Sequence, residues 1–168
     1  TLENDLVKLS IDNKGGQITE ALIKNFKTYD SLPLYLIKDK NASFNINFGT
    51  NDNRILNTKD LLFAPTLTKN GDTQVLSMKL KVSENQFLEY RYEMKEGDYR
   101  VGFAVRSQGL NNVINSSQAI NLDWNLKGFR HEKSLKTENM YSYYYYKADD
   151  EVEYLQMNDD EVSSDIDW

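Results

Sequence analysis

The chain has 168 residues, a net charge of −6, 39% hydrophobic residues and no cysteine. That length suits one domain, expected here over 1–168, with a core that buries roughly 70% of the unfolded surface. The missing cysteines exclude disulfides and thiolate metal sites, and no window approaches the ~18 consecutive apolar residues of a membrane-spanning helix.

Val7, Leu9 and Ile11 alternate with Lys8 and Ser10 in a first strand. Asn13-Lys14-Gly15-Gly16 turns the chain, since Asn and Gly tolerate positive φ, and Gln17 to Lys24 returns to complete a hairpin. Asn25 to Pro33 is polar and irregular. Leu34 to Ile37 then forms a short strand opened by Pro33, where a missing N–H does least harm. Phe44, Ile46 and Phe48 give the next strand, ended by Gly49. The Asn-rich stretch from Thr50 to Leu61 reads as loop with one helical turn, and Leu62-Phe63-Ala64 as a brief pairing before Pro65.

Thr73 to Gln108 organises the rest. It predicts three antiparallel strands whose apolar residues recur at every second position: Leu76, Met78, Leu80 and Val82; Leu88, Tyr90, Tyr92 and Met94; Tyr99, Val101, Phe103 and Val105. Glu96-Gly97-Asp98 makes a hairpin connection between the second and third. Val101 and Phe103 are expected to face inward from a strand in the middle of the sheet. Ile120, Leu122, Trp124 and Leu126 alternate with polar residues as a half-buried strand, Gly128 to Glu138 is mixed and charged, and Met140–Lys147 and Glu151–Met157 are the last strand candidates. No segment of ten residues or more carries a 3.6 period. The fold class is therefore all-β, an antiparallel two-sheet sandwich with little helix.

Side chains able to do chemistry are sparse. His131 is the sole histidine and reads as a surface residue in a charged loop, which leaves little for Ser/His or Cys/His nucleophilic machinery or for a His-rich zinc site. No catalytic residue, metal ligand or cofactor-binding residue is assigned. From Ala148 to Trp168 there are nine carboxylates and no Lys or Arg, whereas residues 1–147 hold 20 basic against 17 acidic residues. A nearly neutral body with an acidic end offers no footprint for nucleic acid. The end itself, 148–168, lacks the spacing of a calcium loop and reads as frayed and solvated.

Tyr141, Tyr143, Tyr144, Tyr145 and Tyr146 form the most unusual run. On a strand, Tyr141, Tyr143 and Tyr145 share one face, expected inward. Tyr144 and Tyr146 share the other, expected to be partly exposed and able to contact an extended peptide or a glycan.

The order of these features resembles a known family. Asn4-Asp5-Leu6 leads into a strand, followed by Asn13-Lys14-Gly15-Gly16-Gln17-Ile18, then Lys24-Asn25-Phe26-Lys27-Thr28-Tyr29-Asp30 with Pro33-Leu34 close behind. Glu93-Met94-Lys95-Glu96-Gly97-Asp98-Tyr99, Tyr144-Tyr145-Tyr146 and Glu151-Val152-Glu153 come later. Together they resemble the large periplasmic domain of YidC-type membrane-protein insertases, in the form found in Bacteroidetes-like bacteria, over essentially the whole chain. The resemblance implies a galactose-mutarotase-like β-supersandwich on the periplasmic side of the inner membrane, excised from a multi-pass protein that continues past Asp167-Trp168. It implies no enzymatic activity and no cofactor, since the mutarotase His and Glu pattern is not recognisable around His131. The partners it implies are the Sec translocon, SecDF in particular, and nascent membrane-protein segments. The runner-up is a carbohydrate-binding or sugar-processing supersandwich with the tyrosines as its stacking platform.

Overall fold

The computed structural model describes residues 1–148 and 150–156. Their strands are β1 (Leu2–Glu3), β2 (Val7–Ile11), β3 (Ile18–Lys27), β4 (Pro33–Ile37), β5 (Ala42–Gly49), β6 (Ile55–Asn57), β7 (Ala64–Asn70), β8 (Thr73–Ser83), β9 (Gln86–Lys95), β10 (Val101–Gln108), β11 (Asn121–Leu126), β12 (Tyr143–Ala148) and β13 (Glu151–Gln156). A 3-10 turn at Thr58–Asp60 and the six-residue helix α1 (Leu135–Met140) complete the regular structure, so no described helix is long enough to cross a membrane. The end of the expected last strand at Met157 and the acidic residues Asp149, Asp159, Asp160, Glu161, Asp165 and Asp167 lie outside the described residues.

The chain divides into two compact units, Thr1–Phe26 with Pro33–Phe129, and Lys27–Leu32 with Arg130–Trp168. The first is an all-β sandwich of three sheets, in the orders β1-β2-β3-β4, β10-β9-β8-β7 and β11-β5-β6. Leu2, Val7, Leu9 and Ala21 of the first sheet share one core with Leu76, Met78, Tyr90, Tyr92 and Met94 of the second and Ile46 and Phe48 of the third. The period-2 pattern is the cause. In β9, Leu88, Tyr90, Tyr92 and Met94 are 0–6% exposed, while Arg91 and Glu93 lie on the other face and pair with each other at 2.5 Å.

Two buried polar contacts lock this unit. The Asn4 side chain accepts from the N–H groups of Leu6 and Val7 at 2.9 and 2.7 Å and donates to the carbonyls of Lys95 and Asp98 at 2.7 and 2.8 Å. The first strand pair is thereby tied to the β9–β10 turn. Thr58, fully buried, accepts from the N–H of Ile46 at 2.8 Å. The turn at 13–16 needs its glycines: Gly16 has φ +63, and a Cβ there would lie 3.0 Å from the Tyr90 ring and 3.3 Å from Phe63.

Three expectations change. β7 is a full strand of seven residues through Pro65, beyond the brief pairing expected at 62–64; it is tolerated because β7 is an edge and Pro65 needs no donor on its open side. β10 is an edge strand too, so Phe103 points toward the core face opposite Tyr92 yet stays 42% exposed. β11 is not half-buried: Ile120, Leu122, Trp124 and Leu126 are 42–69% exposed, because among the described residues β11 pairs only with β5.

In the second unit, Ser134 caps α1 by accepting from the N–H of Thr137 at 3.2 Å, and β12 pairs with β13 in register Tyr145↔Tyr154. Arg130 lies 5.4 Å from the Tyr29 ring centroid.

Candidate functional site

Within the first unit, β5 brings Phe44 to the meeting point of two sheet edges. Its ring lies edge-on to Tyr90 at 5.6 Å, to Phe103 at 5.4 Å and to Trp124 at 6.4 Å. Phe103 in turn leans on Tyr92 at 4.9 Å. Around these rings opens a cavity of about 230 Å³, lined by Ile18, Ile37, Ala42, Ser43, Phe44, Tyr92, Val101, Phe103 and Trp124. The N–H of Phe44 is held by the Gln17 side-chain carbonyl at 2.9 Å, so the floor of the cavity is fixed from β3.

The chemistry of the lining is that of a hydrophobic contact. It contains no carboxylate, imidazole or amine. Burial pushes the Tyr90 phenol up to about 12, and burial together with the neighbouring Tyr90 pushes Tyr92 higher still. The Tyr92 hydroxyl is engaged, donating to the Gly16 carbonyl at 2.7 Å. Apolar side chains of an extended segment fit such a surface; proton transfer at neutral pH does not.

On the outer face of the same meander, a second hollow is lined by Thr66, Thr68, Val75, Ser77, Lys79, Lys81, Glu89 and Arg91. Its cations are engaged already. Lys79 sits 4.0 Å from the Phe87 ring centroid, Lys81 pairs with Glu84 at 3.2 Å and Arg91 with Glu93 at 2.5 Å.

The tyrosine run is divided otherwise than expected. Tyr144, opposite Leu155, is 47% exposed, and the Tyr146 hydroxyl donates to Glu153 at 2.5 Å. Tyr141, Tyr143 and Tyr145, expected inward, are 38–74% exposed. A two-stranded ribbon has too little sheet to bury a face. Tyr143 and Tyr145 pack instead with Tyr154 across the strand pair, at centroid distances of 5.5–6.0 Å. Those rings are tilted 40–77° to one another and form no flat stacking platform. His131 is not a free surface residue: its backbone N–H donates to the Glu138 carboxylate at 2.8 Å, and its Nδ1 lies 3.9 Å from the same carboxylate. Among the described residues no three His, Asp or Glu side chains converge as a metal site would require.

The family model for the YidC periplasmic domain matches residues 1–167. The chain belongs to the YidC periplasmic-domain family. It is accordingly a periplasmic domain. Three relatives, each named membrane protein insertase YidC, agree. That of Parabacteroides distasonis is 39% identical over 92% of this chain and 24% of the relative. That of Porphyromonas gingivalis is 37% identical over the same shares, and that of Bacteroides fragilis 30% identical over all of this chain and 27% of the relative. The chain thus spans about a quarter of the length of the relatives it matches. No solved structure matches it. Sequence reasoning reached this YidC membership but missed the cavity. The signal for the cavity was the aromatic residue in each of three alternating strands, Phe44, Phe103 and Trp124, which nothing local connects.

Proposed function

We propose that this chain is the non-catalytic interaction domain of a YidC-type insertase, on the periplasmic side of the inner membrane. There it holds extended apolar segments of membrane proteins during insertion and folding, in a chaperone-like manner, with the Sec translocon and SecDF as neighbours. The observation that carries this reading is the open apolar cavity around Phe44, Phe103 and Trp124 in a chain matched over 1–167 to the YidC periplasmic domain. Apolar surface left open at the junction of two sheet edges marks a contact site. Tyr144 and Tyr146 supply a second, weaker contact through ring faces and hydroxyls. The test is site-specific crosslinking from position 124 in the longer insertase during insertion of a membrane-protein substrate. The expected result is adducts with the substrate; adducts with no substrate, together with unchanged insertion when Trp124→Asp and Phe103→Ser are combined, would defeat the reading.

A further inference from the structure

One turn of the first unit joins a reactive dipeptide to open surroundings. Of the 18 asparagines in the chain a single one precedes a glycine: Asn70, at the end of β7. Asn70 pairs with Thr73, so Gly71-Asp72 is a two-residue hairpin loop, and Gly71 supplies the positive φ, +61, that its first position needs. The hydrogen bond that closes a turn uses its outer residues and leaves the N–H of the first loop residue unused. Among the described residues the Gly71 N–H accordingly meets no acceptor, and the exposed Asn70 carboxamide has no partner. A Cβ on Gly71 would meet nothing within 4 Å. Other asparagines are held. Asn4 is clamped, and Asn115, which precedes a serine, accepts from the N–H of Ser117 at 3.0 Å. Across the loop Asp72 is fixed, its carbonyl accepting from the N–H of Glu96 at 2.9 Å and its carboxylate 3.5 Å from Lys95.

We propose that the β7–β8 turn is a site of spontaneous covalent modification, where Asn70 converts to a mixture of isoaspartate and aspartate. The Gly71 nitrogen attacks Cγ of Asn70. A bond forms between them as the Cγ–Nδ2 bond breaks, and the amide nitrogen leaves as ammonia with the proton that Gly71 gives up. Water, the sole co-reactant, then opens the succinimide ring at one carbonyl or the other. Glycine obstructs the attack least, having no side chain beside the nucleophilic nitrogen. Each event exchanges an amide for a carboxylate and lowers the net charge of −6 by one. Isoaspartate routes the main chain through its Cβ, which lengthens the backbone by one atom at the Asn70–Thr73 pair. β7 is an edge strand held by β8 alone, so its end loosens, while β8 stays paired with β9. The modification is independent of what the domain holds.

The test ages the longer insertase at neutral pH in water enriched in oxygen-18, then maps its peptides by mass spectrometry with fragmentation that tells isoaspartate from aspartate. Label enters only when the ring opens during ageing, so changes made during digestion are set apart. Asn70 is expected to convert at least tenfold faster than any other asparagine of residues 1–148, with isoaspartate the larger product. Asn70→Gln, which would have to close a larger ring, is expected to remove the conversion while leaving amide exchange in β8 and β9 unchanged. Equal ageing of Asn70 and Asn115 would overturn the proposal. So would aspartate as the sole product, which would mean direct hydrolysis without the Gly71 nitrogen. A capped peptide of residues 66–75 supplies the rate without the fold. A rate in the protein below about a tenth of the peptide's would show that the hairpin shields the site and would also overturn it. In the aged protein, amide exchange over residues 68–73 is expected to quicken at least tenfold, with Met78 and Tyr90 unchanged. Exchange over 68–73 equal to that of fresh protein would overturn the loosening of β7.

Discussion

Strands β9 and β11 carry the same pattern and meet opposite fates. Each alternates large apolar residues with polar ones, yet Tyr90 and Met94 are 0–1% exposed while Leu122 and Trp124 are 55–69% exposed. The difference lies in neighbours. β9 has β8 on one side and β10 on the other, with the first sheet's residues packed across the core; β11 has only β5. Period-2 alternation states which face of a strand is apolar, and is silent on whether anything will lie against it.

That comparison can be tested by substitution. Tyr90→Ala should cost about 3–5 kcal/mol in urea melts, since it empties a fully buried aromatic site. A loss below about 1 kcal/mol would mean that β9 is as loosely held as β11. Asn4→Ala removes four hydrogen bonds from a buried clamp and should cost about 2–3 kcal/mol, with faster hydrogen exchange at Leu6 and Val7. Phe103→Ala, on the β10 edge, should cost about 2 kcal/mol, roughly half the core value, because its ring is partly in water already. Alkaline titration probes the β9 side alone. Both phenols ionise less readily when folded, so their contribution is complete below the unfolded value near pH 10. It should fall above that pH by about 1.4 kcal/mol per tyrosine for each pH unit, until the folded Tyr90 titrates at about 12. Tyr92→Phe should remove one of the two slopes. Trp124→Ala should stay within about 0.5 kcal/mol, the smallest effect, and a larger loss would show that β11 is structurally buried after all.

The fold was legible where clear alternation is bounded by strong turn signals. The meander at 73–108 and the opening hairpin follow from alternation and from turns rich in Gly and Asn, and the structure places them within a few residues of the expected bounds. β7 was hidden by Pro65 and by its Thr, Lys and Asn residues, which an edge strand accepts and a central one would not. α1 has six residues, under two turns, and leaves no 3.6-residue signature. The cavity was illegible for a different reason. Its walls come from β3, β4, β5, β9, β10 and β11, and only the pairing of β11 with β5, Trp124 opposite Phe44, brings the last of them into place. In the tyrosine run the alternation was visible, but Tyr154, the ring that draws Tyr143 and Tyr145 together, belongs to the other strand.

The Asn4 clamp bears on how the molecule is made. The carbonyls it grips belong to residues 91 and 94 positions further along the chain. Asn4 is made more than ninety residues before either carbonyl, so its side-chain amide has no native partner until Lys95 and Asp98 have followed. The β1–β2 segment therefore waits for this clamp until β9 and the turn after it have been made. Closing so long a loop is slow. β1 and β2, made before β9 and β10, are therefore among the last parts of the first unit to set.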